Sequence, residues 1–207
     1  MSYKLHSIAI GQPQSYGEGD NSFISSYKKN QFFQYIYITD LGLEGDTQSD
    51  KRYHGGIDKA IHFGSSIHFE KFPMDRLAIG CNILVDGLDE NNVCVGDIYT
   101  IGDIKVEVTQ PRQPCWKIGA LFGKEVSRYI IKNNACGWYV RVLDEGVIDL
   151  NDEMVLESRV SKYTIKDLAL FLHHLPQQNV IDEVLSIDSL AQSYKDDLIR
   201  KVEKSTV

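Results

Sequence analysis

The chain has 207 residues, 22 Lys and Arg against 29 Asp and Glu, and a formal net charge of −7; that length fits one domain with room for a small appendage, and needs no disulfide or structural metal to hold a core. The acidic balance, spread along the chain, excludes general nucleic-acid binding, which needs a basic stripe, and no apolar run approaches the ~20 residues that span a bilayer. Met1-Ser2-Tyr3-Lys4-Leu5-His6 lacks an apolar signal core, so the expectation is a cytoplasmic protein with neither nucleic acid nor membrane as partner.

In chain order, the first clear element is Tyr35-Ile36-Tyr37-Ile38-Thr39, dense in aromatic and β-branched residues and predicted as a strand ending at Asp40-Leu41-Gly42. From Ile57 to Phe72 the spacing of Ile57, Ile61, Ile67 and Phe69 predicts a helix. Asn82-Ile83-Leu84-Val85, closed by Asp86-Gly87, reads as a short strand. Asp97–Ile101 and Ile104–Thr109 flank Gly102-Asp103 and read as a hairpin, with Ile104, Val106 and Val108 on one face. A helix is predicted over Lys124–Asn133, a strand over Trp138–Leu143 and another near Met154–Glu157. Many short strands separated by turns make the first 159 residues mainly β, as a closed barrel or sandwich.

Near residue 160 the texture changes. Thr164 can cap a helix over Ile165–Leu175, stopped by Pro176. A second runs from about Val180 to Ile187, and a third from Leu190 to Lys204, where Leu190, Tyr194, Leu198 and Val202 recur every four residues. Residues 160–207 are therefore expected to form a three-helix appendage. It is too small for a core of its own and should dock on the barrel or on a second chain, which is compatible with a homodimer. Having neither cysteine nor Gly-rich turn, it is expected to stay outside any site.

Four cysteines stand at 81, 94, 115 and 136 with no C-x-x-C pair, which disfavours zinc and dithiol motifs. Cys115 differs from the rest in its setting, Pro111-Arg112-Gln113-Pro114-Cys115-Trp116-Lys117. The prolines stiffen the entry to the thiol, and Arg112 and Lys117 flank it with positive charge, which favours thiolate, the form that attacks or ligates a metal. Cys94 and Cys136 read as core. Upstream, Gly42-Leu43-Glu44-Gly45-Asp46 and His54-Gly55-Gly56-Ile57-Asp58-Lys59 combine glycines, which let backbone N–H groups approach an anion, with the donors His54 and Lys59. Asn82 offers an amide for the edge of a heterocycle. His54, Lys59 and Arg112 are expected to meet in one anion pocket.

Together, Gly42-Leu43-Glu44-Gly45-Asp46, His54-Gly55-Gly56 with Lys59-Ala60, Gly96-Asp97-Ile98 and Pro111-Arg112-Gln113-Pro114-Cys115 resemble the MOSC domain, the molybdenum-cofactor sulfurase C-terminal fold. The helical tail resembles the extension of the family's YiiM-like group. The resemblance implies a MOSC-type β-barrel with a small C-terminal three-helix domain, and a molybdopterin-type molybdenum cofactor. It implies Cys115 as catalytic residue and metal ligand, with His54, Lys59, Asn82 and Arg112 binding the cofactor. It also implies reduction of N-hydroxylated small molecules, such as hydroxylaminopurines and amidoximes, to amines or amidines. With no flavin, haem or iron–sulfur motif in the chain, electrons would come from a partner reductase. A cofactor or persulfide carrier is the alternative, and a metal-free cysteine enzyme would need the fold to bring His54 to Cys115. One departure stands out: the family usually reads Gly-Glu-Asn-Leu where this chain has Gly80-Cys81-Asn82-Ile83, a thiol in place of a carboxylate.

Overall fold

Alternation along β10 (Ile104–Pro111) builds the centre of the molecule: Ile104, Val106 and Val108 are buried, while Lys105 and Glu107 between them are half-exposed. The computed structural model describes residues 1–50, 54–70 and 79–205. β10 pairs with β9 (Ile98–Ile101) across the Gly102-Asp103 turn and with β11 (Trp138–Asp144) on its other side. β7 (Ile61–Ser65), β8 (Ile83–Val85), β1 (Ser2–Ile10) and β13 (Glu153–Ser158) continue the sheet in the order β13-β9-β10-β11-β7-β8-β1. A further β1–β13 pairing, with Ser2 opposite Val155, closes it into a barrel. All pairs are antiparallel except β7–β8. The interior is filled by Trp138, Phe63, Tyr99 and aliphatic side chains, all buried, with the Phe63 and Trp138 rings stacked at 6.2 Å.

The remaining strands cover the barrel's ends and edges. β4 (Gln31–Phe32) extends β1, and β2 (Gln14–Tyr16) with β3 (Phe23–Ser25) forms a separate hairpin. β5 (Tyr35–Thr39) makes a small sheet with β6 (Gly42–Leu43) and β12 (Gly146–Asp149). Two helices, α1 (Trp116–Phe122) and α2 (Lys124–Asn133), pack a second apolar cluster on the outer wall, around Ile118, Val126 and Ile130.

The tail forms α3 (Ile165–Phe171), α4 (Gln178–Leu185) and α5 (Gln192–Ser205). Thr164 and Asp167 make the reciprocal cap of α3, each bonding the other's backbone N–H. Leu168, Ile181, Val184, Tyr194 and Leu198 share a third cluster, which includes Val95 of the barrel. Backbone bonds from Val95 to Tyr163 and from Ile165 to Val93 fasten the tail's first residues to the barrel.

Two sequence expectations change. Residues Ile57–Glu70 hold no α-helix: a 3₁₀ turn at Ile57–Lys59, the strand β7, and a second 3₁₀ turn at Ser66–Glu70 replace it, and the stretch beyond Glu70 lies outside the described residues. Ile61 and Phe63 point into the barrel at a period of two, and Ile57 falls on the helical spacing of Ile61 without sharing a helix. The first tail helix ends at Phe171, four residues earlier than Leu175.

Asp97, from the Gly96-Asp97 pair, is fully buried and structural. Its carboxylate accepts two bonds from Arg159 at 2.7 Å, one from the Tyr99 hydroxyl at 3.1 Å and one from the Cys94 N–H at 2.9 Å. Asp97→Ala strands three donors around a void. The expected loss is about 3 kcal/mol of unfolding free energy, read from urea denaturation, with Asp97→Asn losing less.

Candidate functional site

Strand register assembles the site. Gln110 stands opposite Tyr139, and Tyr139 opposite His62, across β10, β11 and β7. The neighbouring pair Trp138 and Phe63 faces the core, so Gln110, Tyr139 and His62 form a row on the outer face of the barrel. β10 then runs out at Pro111, and the next residues deliver Arg112 and, as the residue before α1, Cys115.

Arg112 is only 3% exposed. Its backbone N–H is held by the Gly137 carbonyl at 3.1 Å. Nη1 meets the Cys136 sulfur at 3.5 Å, and the guanidinium lies 4.8 Å from the centre of the Tyr27 ring. Nη2 has no hydrogen-bond partner among the described residues. Gly137 lets β7 come close beside it: its φ is +77°, and a Cβ there would sit 2.0 Å from the Phe63 carbonyl and 2.9 Å from His62 Nε2.

Arg112 joins two adjoining pockets. The deeper is lined by Tyr27, Lys29, His54, Lys59, Asn82 and Tyr139. The outer, a cleft of about 370 Å³, is lined by His54, Lys59, Arg112, Tyr139, Cys115 and Trp116 together with Asp197 of α5. The structure thus brings His54, Lys59 and Arg112 together, and puts Cys115 beside them. His54 Nδ1 lies 3.2 Å from the Tyr139 hydroxyl. Burial, reinforced by the charges of Arg112, Lys59 and Lys117, lowers the pKa of His54 to about 4, so its imidazole is neutral near pH 7. Burial likewise lowers the Lys59 pKa, against the pull of Asp197 and Asp58. Gly55 and Gly56, with φ of +82° and +83°, turn the backbone beside His54, and nothing lies within 4 Å of where a Gly56 side chain would begin.

Asn82 is placed differently from a free recognition group. Its Oδ1 accepts the His62 N–H at 3.2 Å and Nδ2 donates to the Ala9 carbonyl at 3.4 Å, so the amide braces β1 against β7 and keeps one hydrogen for a ligand. Lys117 also lines the outer cleft, with its ammonium donating to the Ile24 carbonyl at 2.8 Å.

The four thiols divide sharply. Cys81, Cys94 and Cys136 are buried and Cys115 is half-buried. Burial pushes the Cys81 thiol up to about 12 and Cys136 up to about 11, with Arg112 opposing both, and it raises Cys94 as well. Cys115 is the thiol that lines the cleft.

Some residues here carry little sequence signal of their own, although Asp46 closes the Gly42-Leu43-Glu44-Gly45-Asp46 motif. Lys29 and Asp46 form a buried ion pair at 2.6 Å, and Asp46 also accepts from the Gly11 N–H at 2.8 Å. Tyr27 presses its ring on both Arg112 and His54. Tyr139 could be suspected from its place next to Trp138, since alternation turns it away from the core. Asp197 enters only because α5 docks where it does, contrary to the expectation that the tail stays clear of the site.

A family model for the MOSC domain matches residues 50–155. The protein YiiM of Escherichia coli is 33% identical over 198 residues, which is 90% of this chain and 87% of that one. Its crystal structure superposes with a TM-score of 0.75 at 26% identity, over 99% of this chain and 94% of that chain. The crystal structure of YiiM from Geobacillus stearothermophilus gives 0.76 at 26% identity, over 96% and 98%. A protein of Gibberella moniliformis named a reductase is 32% identical over 146 residues, 65% of this chain and 26% of its own length.

The two neutral histidines set an acid limit on the fold. Burial lowers His62 to about 3, with Arg112 adding to it, and its Nε2 lies 2.8 Å from the Cys136 carbonyl. Both His54 and His62 hold folded pKa values below the ~6.5 of an unfolded histidine, so the folded state binds fewer protons. The stability they contribute is complete above pH 6.5 and is lost as pH falls toward about 4 and 3. Urea midpoints measured from pH 8 to pH 4 should fall below pH 6.5, and His62→Gln, which cannot titrate, should flatten that fall.

Proposed function

Because the chain belongs to the MOSC domain family, we propose that its cleft binds a molybdenum cofactor of the molybdopterin type and that the protein is an oxidoreductase for N-hydroxylated small molecules. Amidoximes and hydroxylaminopurines would be reduced to amidines and amines. The observation that carries this reading is the buried Arg112 guanidinium, with one nitrogen unbonded among the described residues, opening on the same cleft as the half-buried Cys115 thiol.

The residues present fit such a cofactor. A phosphate-bearing pterin needs fixed cations, and Arg112 and Lys59 line one cleft. Among the described residues, no three His, Cys, Asp or Glu side chains gather to hold a metal, so Cys115 would be the protein's own ligand, a soft thiolate suited to a thiol-rich metal centre. When bound, the cofactor would supply two-electron redox chemistry. Conversion of R–NH–OH to R–NH₂ and water takes two electrons and two protons, the electrons coming from a separate reductase. The chain's own part is positioning. Arg112 and Lys59 would hold the phosphate, Asn82 would have one amide hydrogen to offer the pterin, and neutral His54, paired with the Tyr139 hydroxyl, would add hydrogen-bonding capacity without charge. The relative named a reductase supports the oxidoreductase part of this reading.

The test is metal, pterin and turnover analysis of full-length protein made in a host that assembles the cofactor, using benzamidoxime and a chemical reductant. The wild type should carry molybdenum and form benzamidine. Cys115→Ser should keep its thermal melting point and lose turnover. Arg112→Met, which deletes one charge-assisted contact, should weaken cofactor retention by about 10- to 100-fold. Wild-type turnover by Cys115→Ser, or wild-type protein free of molybdenum, overturns the reading. Molybdenum bound without turnover would make the protein a carrier.

A further inference from the structure

The side chain that follows Cys115 is left in solvent. Trp116 is 65% exposed and lines the outer cleft beside the thiol, although an indole is among the largest apolar surfaces a chain can bury. We infer that Trp116 is a specificity-determining residue. Its indole is a stacking surface that selects neutral N-hydroxylated molecules carrying a planar aromatic ring over aliphatic and saturated-ring analogues. The inference rests on the reading of this cleft as the substrate's site.

The indole is exposed and yet held. Trp116 is the first residue of α1, directly after Cys115, and α1 is anchored by Ile118 and Phe122, both buried in the second apolar cluster. The β2–β3 hairpin braces it from the other direction. The Phe23 ring sits 4.9 Å from the Trp116 ring at 66°, an edge-on contact. Tyr16, opposite Phe23 in the hairpin register, stacks on Phe23 at 5.9 Å, and the Lys28 ammonium lies 5.4 Å from the centre of the Tyr16 ring. The hydrogen bond from Lys117 Nζ to the Ile24 carbonyl joins the hairpin to α1. Tyr16, Phe23 and Trp116 thus form an aromatic row that ends at the cleft. The tilt of the indole is set before a ligand arrives, which lowers the ordering cost of stacking on it.

Charge does not do this sorting. Lys59, Arg112 and Lys117 share the cleft lining with Asp50 and Asp197 among the described residues, and His54 is neutral near pH 7. Arg112 and Lys59 are also the groups that suit the cofactor's phosphate. A neutral amidoxime or hydroxylamine offers none of these charges a net charge to select, so discrimination falls to the shape of the rest of the molecule. An aromatic ring laid against an indole gains about 3- to 10-fold in affinity beyond what its buried area supplies. A saturated ring of the same size buries similar area and lacks the π-face behind that gain.

The test is binding without an electron donor, on full-length protein from the cofactor-competent host. Calorimetry would compare benzamidoxime, cyclohexanecarboxamidoxime and acetamidoxime, which are neutral near pH 7. Wild type should bind benzamidoxime about 3- to 10-fold more tightly than the cyclohexane analogue. Trp116→Leu should abolish that preference and Trp116→Phe should keep most of it; both replace an exposed side chain and should melt with the wild type. Phe23→Ala, which frees the tilt of the indole, should keep a smaller part. Fluorescence gives a second signal. The chain has two tryptophans, and Trp138 is fully buried against Phe63, so benzamidoxime should quench the wild type and leave Trp116→Leu unquenched. An unchanged ring preference in Trp116→Leu, an equal loss of both ring-bearing ligands, or binding of none of the three overturns the inference. A ring preference that follows Trp116 in a protein that reduces nothing supports this assignment while refuting the reductase reading. Turnover of benzamidoxime with no ring preference in binding refutes this assignment and leaves that reading standing.

Discussion

Taking a guanidinium out of water costs several kcal/mol, and proteins usually answer with a carboxylate in direct contact. At Arg112 the answer is different. The described residues give it no carboxylate ion pair, and what surrounds it is an aromatic face, a thiol and neutral rings. The neighbourhood follows from that charge. His54 and His62 stay neutral because burial and Arg112 act in the same direction. Cys81 and Cys136 stay protonated because burial outweighs Arg112's attraction for a thiolate. The result is a pocket floor at which the described residues give Arg112 no carboxylate in an ion pair, an arrangement that favours an anion from outside.

Cys81 belongs to this balance. Where the family usually carries a glutamate, this chain has a neutral thiol, and Gly64 makes room for it: a Cβ at Gly64 would stand 2.6 Å from the Cys81 sulfur. A carboxylate in that position would be an acid set near Arg112. The thiol removes that competitor and leaves the guanidinium more available to a ligand. The nearby Lys29–Asp46 pair, by contrast, is self-neutralising and steadies the pocket wall.

How much was legible in the sequence depends on how local the signal was. The β9–β10 hairpin, α2 and the cap at Thr164 rest on turn dipeptides, periodicity and capping chemistry within a few residues, and each stands where expected. β1 carries no clean alternation because its second half is buried on both sides, with β8 and β4 flanking it. α1 was hidden by the prolines before it and by Gly119 within it. At the site, Cys115, Arg112, His54 and Lys59 were identifiable as types in order. Tyr27 was not, and alternation beside Trp138 marks Tyr139 only as outward-facing, since loop packing and strand register set them against Arg112 and His54. Asp197 was the least visible, because its relevance depends on how a helix far along the chain seats on β10.

Barrel closure has a kinetic side. β1 precedes its barrel partners in the chain, and it finds β8 only past Ile83 and β13 only past Glu153. The edge that β13 covers stays unpaired the longest, a state that slows folding and invites contact with other chains. The tail helices follow β13 directly and pack on the barrel segment around Val95, so their apolar stripes become available just as the last seam forms. Chain order thus makes the β1–β13 seam, rather than the β9–β10 hairpin, the late and vulnerable part of the barrel's assembly.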